Sequence, residues 1–353
     1  MTTHSIPAIV LGGTGYVGAE FIRLIAGHAR LQLHAAVSGS AAGAKISDTF
    51  PHLHAATGDQ TFCSLDQALN GLTGDTVAVF AALPHGSCAS VVADVIERCE
   101  AAGVAPRVVD ASADFRFADQ KDYDAVYHSA HGAPQLLAAF DSAVPELLDS
   151  TNATHIGHPG CFATAMQLAI APLLAVVDQN SVIHAVGITG STGSGKQPSA
   201  TTHTPERHSN LFAYKPLEHR HTPEVIAHLA RLCGYTPDVQ FVPHSGPFAR
   251  GIHMTVMARL SSDVAADELH ANAAQFYADK PFVRVVNGMP RIKNVVASNY
   301  ADIGIAANGR NVVATCVIDN LIKGAAGGSV QWMNRLLSLP ETSGLTQSAP
   351  AWT

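Results

Sequence analysis

The sequence predicts an α/β chain: a doubly wound parallel-sheet domain, then a mixed α+β domain. Three observations carry that reading. Short apolar runs alternate with helical stretches from Ala8 to Ser112, a glycine-rich turn separates the first run from the first helix, and the texture changes after about residue 158. Strands and helices in alternation argue for βαβ units on a parallel sheet. With 353 residues, 47% of them hydrophobic, the chain can fill about two domains.

In the first domain "AIVLGG", "LQLHAAVSG", "VAVFAAL" and "RVVDAS" read as strands, and "VGAEFIRLIAGHA" and "CASVVADVIERCEAAG" as helices. In the second, "SVIHAVGIT", "DVQFVP", "GIHMTVMARL" and "NVVATCVID" are longer β-like runs between Pro- and Gly-rich loops. The last helix candidate, "GAAGGSVQWMNRLLSL", has an apolar stripe that would pack back on the first domain, ahead of a loose or weakly docked tail. The expected boundaries are residues 1–158 for the first domain, completed by a C-terminal helix 322–353, and 159–321 for the second.

A charged fraction of only 14% and a formal net charge of −7 leave no basic field for nucleic acid or an anionic membrane. A small-molecule partner is expected. The amino end "MTTHSIPAIVLGG" lacks a basic n-region, and no apolar run is long enough to cross a bilayer. The cysteines at 63, 88, 99, 161, 233 and 316 are scattered without a C-x-x-C, which suits a cytoplasmic protein and signals no metal site.

"AIVLGGTGYVGAEFIRLI" sets Gly13, Gly15 and Gly18 in G-x-G-x-x-G spacing between strand and helix. Such a turn lets a pyrophosphate approach the backbone at a helix N-terminus, so Gly13, Thr14, Gly15, Tyr16, Val17 and Gly18 are the expected dinucleotide-binding residues of a Rossmann-type domain. About 20 residues on, where NAD enzymes place an acid, the chain reads "HAAVSGSAAGAK". Ser38, Ser40 and Lys45 can receive a 2′-phosphate there, so the expected cofactor is NADP.

A second glycine loop, Gly190 to Lys196, spells G-x-x-x-x-G-K. A nucleotide-hydrolysing loop would follow its lysine with Ser or Thr for Mg²⁺ and then a helix; Gln197 and Pro198 stand there instead. The kinase reading fails at the metal ligand.

In "HPGCFATAMQLAIAPLLAVV", Cys161 follows Pro159-Gly160 at the mouth of an apolar helix. Helix-start N–H groups and the helix dipole favour a thiolate and can hold an oxyanion. The other five cysteines read as buried apolar residues. A cysteine nucleophile needs a proton handler, and "EHRHTPEV" offers His219, His221 and Glu224, for acid/base work, for structure, or for a metal.

With these pieces in view, the chain resembles the N-acetyl-gamma-glutamyl-phosphate reductase family, in the wider class that includes aspartate-semialdehyde dehydrogenase. The matching stretches are "GGTGYVGAE", "ALPHG", "DASADFR", "AVPEL", "HPGCFATA", "HRHTPEV", "FVPHSGPFARGIHMT" and "DNLIKGAAGGSVQWMN", in family order over nearly the whole chain. The resemblance implies an NADPH-dependent reductive dephosphorylation of an acyl phosphate in arginine biosynthesis, by a catalytic and dimerisation domain whose Cys161 forms a thioester.

It further implies His221 as acid/base with His219 second, Glu224 as the residue orienting that histidine, and Arg250 as a cation for a substrate carboxylate or phosphate. Asn320, Pro84 and Ser87 fall at cofactor positions, and Ser191 and Gly193 line the pocket in a phosphate-friendly turn. A homo-oligomer, dimer or tetramer, is expected. Gly39 stands where the family often has Arg. The stretch from Lys196 to His221 is similar to relatives that reduce a carrier-protein-linked substrate; Arg207 and Lys215 read as a solvated loop face, with carrier binding as the alternative. An NADP-binding regulatory protein and a metal-dependent hydrolase using His219 and His221 are the more distant rivals.

Overall fold

The computed structural model describes residues 5–352, and the first four residues of the expected amino end lie outside them. The chain divides into two compact units. One runs up to Ala143 and adds Ser150–His158 and Ala325–Thr346; the other comprises Val144–Asp149, Pro159–Gly324 and the chain from Gln347.

The first unit is built on β1 (Ile6–Leu11), β2 (Leu31–Val37), β3 (Thr76–Ala81), β4 (Ala105–Asp110), β5 (Phe140–Ser142) and β6 (His155–Gly157), ordered β2-β1-β3-β4-β6-β5. Every pairing is parallel. Ala8–Leu11 and Val77–Ala81 are buried without alternation, the mark of a sheet covered on both faces. Helices Tyr16–Ala26, Cys88–Ala101 and Gly327–Leu336 pack on this sheet. This is the doubly wound arrangement that the alternating runs predict.

The second unit holds β7 (Ile183–Thr189), β8 (Phe212–Ala213), β9 (Val239–Ser245), β10 (Ile252–Arg259), β11 (Val283–Val285), β12 (Ala301–Asn308) and β13 (Asn311–Ile318), ordered β11-β12-β13-β10-β7-β9-β8. The sheet is mixed. β10 runs antiparallel to β7 and β13, whereas β7 and β9 are parallel. Burial alternates along β7, β9 and β10, so one face rests on a core of Phe162, Met166, Val225, Phe241 and Met254. The helix Cys161–Ile170 is buried from Phe162 to its end and crosses that face.

The structure adds strands that the sequence reading leaves unnamed and shortens its last helix. "ADIGIAAN" forms β12, although its alanines and glycine have low strand propensity; Gly304 is there because Gly288 O lies 2.3 Å from where a Cβ would stand. The C-terminal helix does not extend over 322–353: one wide turn, Ile322–Ala326, leads into Gly327–Leu336, and the helix stops before Ser338 (φ 54°) and Pro340. The following segment is docked, not loose. Asn334 Nδ2 donates to the carbonyls of Glu341 and Ser343, and Leu345 is buried.

Candidate active site

Gly160 enters the cysteine helix in extended conformation, at φ −63°, ψ 155°, and Thr164 N–H closes the first turn on Gly160 O. Cys161 is the partly exposed residue of a helix whose first turn carries no acid. Burial pushes the thiols of Cys63, Cys88, Cys99 and Cys316 up, keeping them protonated and inert at neutral pH.

Gly160 brings the expected proton handlers to that turn. Its N–H donates to Glu224 Oε1 at 2.8 Å, and a Cβ on it would lie 2.1 Å from His221 Nε2. His221 and Glu224 share the helix His221–Cys233, three residues apart and therefore on one face. His219 Nδ1 accepts the His221 N–H at 3.2 Å, and its ring is set edge-on to Phe162, Tyr214 and Phe241. The two imidazoles stand 4.6 Å apart between centroids. Among the described residues no group of three His, Cys, Asp or Glu is placed to hold a metal ion.

On another side of Cys161 lies the segment Asp319–Gly324. A Cβ on Gly324 would fall 2.7 Å from Cys161 Cβ, and Gly324 N–H reaches back to Asp319 O. Asp319, fully buried, accepts from the N–H groups of Ala297, Leu321 and Ile322 and takes both Nε and Nη2 of Arg250, at 3.0 and 3.1 Å. The fork of Arg250 is thus committed to a structural carboxylate. Asn320 accepts from Gly251 N–H and donates to Thr192 Oγ1, tying two loops together.

The lysine-ended glycine loop is a short 3₁₀ turn, Ser191–Ser194. Its backbone donors point inward: Gly190 N–H to Gly251 O, Ser191 to Phe248 O, Thr192 to Ala249 O, Gly193 to Gly190 O. A backbone phosphate cradle needs such donors, and these four are spent on the protein's own carbonyls. Arg207 is corrected: it is buried, not part of a solvated face, whereas Lys215 is exposed.

In the first unit, the glycine that the turn's backbone requires is Gly12. Gly12 has φ +81° and its Cβ site lies 2.5 Å from Ala82 O, while a Cβ on Gly18 would fall 2.4 Å from Gly12 O. The working spacing is G-x-x-G-x-x-G, from Gly12 through Gly15 to Gly18. The helix Tyr16–Ala26 starts with no acid in its first turn and, among the described residues, no side-chain cap. By contrast, the helix Cys88–Ala101 has its anion built in: Asp114 of "DASADFR" accepts from Gly86, Cys88 and Ala89 N–H. Ser87 Oγ turns to Pro84 O at 2.9 Å. The open helix start therefore fits a dinucleotide's pyrophosphate. After β2, Ser38 is buried, Ser40 exposed, and Lys45 pairs with Asp59 at 2.6 Å.

Residues 7–157 match the semialdehyde dehydrogenase NAD binding domain, and residues 161–320 match the semialdehyde dehydrogenase dimerisation domain. The chain is 38% identical to N-acetyl-gamma-glutamyl-phosphate reductase of Desulforamulus reducens over 344 residues, covering 95% of this chain and 96% of that one. The chain belongs to the N-acetyl-gamma-glutamyl-phosphate reductase family. The reductase of Pelotomaculum thermopropionicum is 36% identical, over 97% of this chain and 98% of its own. The chain shares its fold with aspartate semialdehyde dehydrogenases: enzyme II of Vibrio cholerae superposes with a TM-score of 0.67 at 14% identity, covering 95% of this chain and 98% of its own. The Candida albicans enzyme, solved with NADP, gives 0.64 at 17%, covering 94% and 99%.

Position by position, then, Cys161, His219, His221 and Glu224 come together around one turn. Arg250, Asn320, Ser191 and Gly193 form a neighbouring loop cluster in the same unit, and Thr14, Tyr16, Val17, Ser38, Ser40, Pro84 and Ser87 belong to the other. Gly160, Gly324 and Asp319 escape a sequence reading. Their only signal is a glycine directly before the cysteine and another in "DNLIKGAAG".

Proposed function

We propose that the chain catalyses the NADPH-dependent reductive dephosphorylation of N-acetyl-gamma-glutamyl phosphate to N-acetylglutamate 5-semialdehyde, a step of arginine biosynthesis. The observation that carries this reading is Cys161 at the start of a helix whose first turn carries no acid, with the His221 ring edge against the preceding glycine.

Cys161 Sγ attacks the acyl carbon; the bond from that carbon to the phosphate oxygen breaks, phosphate leaves, and a thioester forms on Cys161. The N–H groups of the helix's first turn stabilise the oxyanion that develops at the acyl carbon. The nicotinamide, when bound, supplies the hydride that reduces the thioester. His221 gives its proton to the alkoxide left by hydride addition, forming the thiohemiacetal hydroxyl, and takes that proton back as the C–S bond breaks and the C=O bond forms, releasing aldehyde and the Cys161 thiolate. His221 is preferred to His219 because His219 Nδ1 already accepts a backbone N–H within an aromatic enclosure. Glu224 acts on the Gly160 peptide and so holds the turn that presents the thiol.

NADP is assigned over NAD on the absence of an acid in Ser38-Gly39-Ser40, with Gly12, Gly15 and Gly18 shaping the pyrophosphate turn. Asn320, Ser191 and Gly193 act by holding the loops beside Cys161. The match to a dimerisation domain supports a homo-oligomer, dimer or tetramer. We place the enzyme in the cytoplasm, with its cysteines reduced.

The deciding experiment runs the reaction backwards: phosphate-dependent NADP⁺ reduction with N-acetylglutamate semialdehyde, for the wild type and Cys161→Ala. Turnover that needs phosphate and disappears in the variant is expected. A folded, NADP-binding wild type without turnover would overturn the substrate.

A further inference from the structure

Arg207 closes a single helical turn, Thr204–Arg207, in the connection from β7 to the helix His221–Cys233. Its neighbours Glu206 and His208 are exposed, yet Arg207 is only 8% exposed. The guanidinium faces inward onto the end of β9, where Nη1 donates to Ser245 Oγ at 2.8 Å and Nη2 to the Gly246 carbonyl.

Both acceptors are neutral. Lys323, Arg250 and Arg284 each meet a carboxylate, on Glu146, Asp319 and Asp302 respectively. Among the described residues no carboxylate forms an ion pair with Arg207. Burial works against its positive charge, as the lowered guanidinium pKa registers. A buried cation held by neutral oxygens alone has no compensating anion.

Its location gives that shortage a meaning. Ser245 lies opposite Thr189 in the β7–β9 register, Gly246 N–H donates to Thr189 O, and the next residues form the Gly190–Gly193 turn held by Asn320. Tyr214, whose ring stands 5.8 Å from His219, is within electrostatic reach of both Arg207 and Cys161. The planar fork of an arginine suits two oxygens of one anionic group.

We propose that Arg207 receives an anionic group of the substrate, either its carboxylate or its phosphoryl group, in a charge-assisted pair. The proposal rests on the acyl-phosphate reduction above and adds to Arg250, whose fork is paired with Asp319, a second cation for the substrate's anionic groups. It also removes Arg207 from the outer surface that a carrier protein would meet.

The reverse reaction separates the two anions, because the semialdehyde brings the carboxylate and phosphate is a separate co-substrate. Arg207→Met should raise one of those two KM values on the order of 10–100-fold and leave the KM for NADP⁺ unchanged. A rise for the semialdehyde assigns the carboxylate, and a rise for phosphate assigns the phosphoryl group. Unchanged values, or all three rising together, would overturn the proposal in favour of a structural arginine.

Should Arg207→Met fail to fold, Arg207→Lys, which keeps the charge and loses the fork, is read by the same three constants. Calorimetric titration of N-acetylglutamate and of inorganic phosphate into wild type and variant needs no turnover, and equal affinities would likewise overturn the proposal. A wild type that binds these anions through Arg207 yet lacks turnover would refute the reaction and leave the anion site standing.

Discussion

The α-carbon of Gly160 faces the ring edge of His221 so closely that a Cβ there would come within 2.1 Å of Nε2. The obstacle is a side-chain tip and not a backbone atom, so an added methyl group displaces the ring and leaves the fold in place. Gly160→Ala should therefore lower kcat about 10²–10⁴-fold, the usual worth of a positioned general acid, while Cys161 at its helix start still reacts with iodoacetamide. A variant that keeps wild-type kcat would show that His221 need not stand at that spot.

His221 and His219 should separate in a direct comparison. His221→Asn removes the proposed proton donor, with an expected kcat loss of the same ~10²–10⁴-fold. His219→Asn keeps an acceptor for the His221 N–H and should fall by less than about 10-fold, or ~1.4 kcal/mol of barrier. Equal losses under saturating substrate would reassign the acid/base role.

How much of this was legible in the sequence depends on the distance over which each feature is decided. The β1–turn–helix unit and Cys161 at its helix start are local, and periodicity and a Pro-Gly turn reveal them. The glycine roles are not local: Gly12 is singled out by Ala82 and a positive φ, Gly160 by His221, and Gly324 by Cys161. Asp319 looked like one more residue of a motif, and only the fold shows it gathering three backbone N–H groups and Arg250. Arg207 reads as solvated from the polar stretch around it, and only the fold shows it buried.

Gly12 and Gly13 offer a test of which glycine the turn requires. Alanine at Gly12 must adopt φ +81° and meets Ala82 O at 2.5 Å; alanine at Gly13 meets only side-chain carbons of Phe62 and Ala36 at 3.2–3.4 Å. Gly12→Ala should be the more destabilising by about 1–3 kcal/mol and should lose NADPH binding first. Urea unfolding with fluorescence titration of NADPH measures both, and the reverse ranking would reject the G-x-x-G-x-x-G assignment.

Acid should weaken the first unit through His155. Buried, with Nδ1 accepting the Val108 N–H at 3.2 Å, its imidazole is held neutral, and burial pushes its pKa from 6.5 down to about 4. Between those values the unfolded chain binds the proton and the folded chain does not, so stability is intact above pH 6.5 and declines as pH falls towards 4. The full loss is about 3 kcal/mol. Burial lowers His28 as well and adds to the trend, while the raised pKa of buried Asp110 opposes it. His155→Gln keeps a neutral side chain, so its urea midpoint should fall less between pH 7 and pH 5 than the wild type's; an identical fall would exonerate His155.

The last prediction concerns the ion pair beneath the Cys161 turn. Lys323 Nζ lies 2.5 Å from Glu146 Oε1, both side chains are fully buried, and the Phe282 ring sits 5.7 Å from the ammonium. Removing one member strands the other charge in the core, so Lys323→Met or Glu146→Gln should each destabilise the protein by about 3–5 kcal/mol. Replacing both, Lys323→Met with Glu146→Leu, leaves no charge to desolvate and should recover most of that loss. Activity should not follow stability. Lys323 directly precedes Gly324, whose backbone abuts Cys161, so a double variant that regains its melting temperature is still expected to show slower thioester formation in single-turnover assays. Full recovery of both would mean that the pair serves the fold alone and that the turn around Gly324 keeps its place without it.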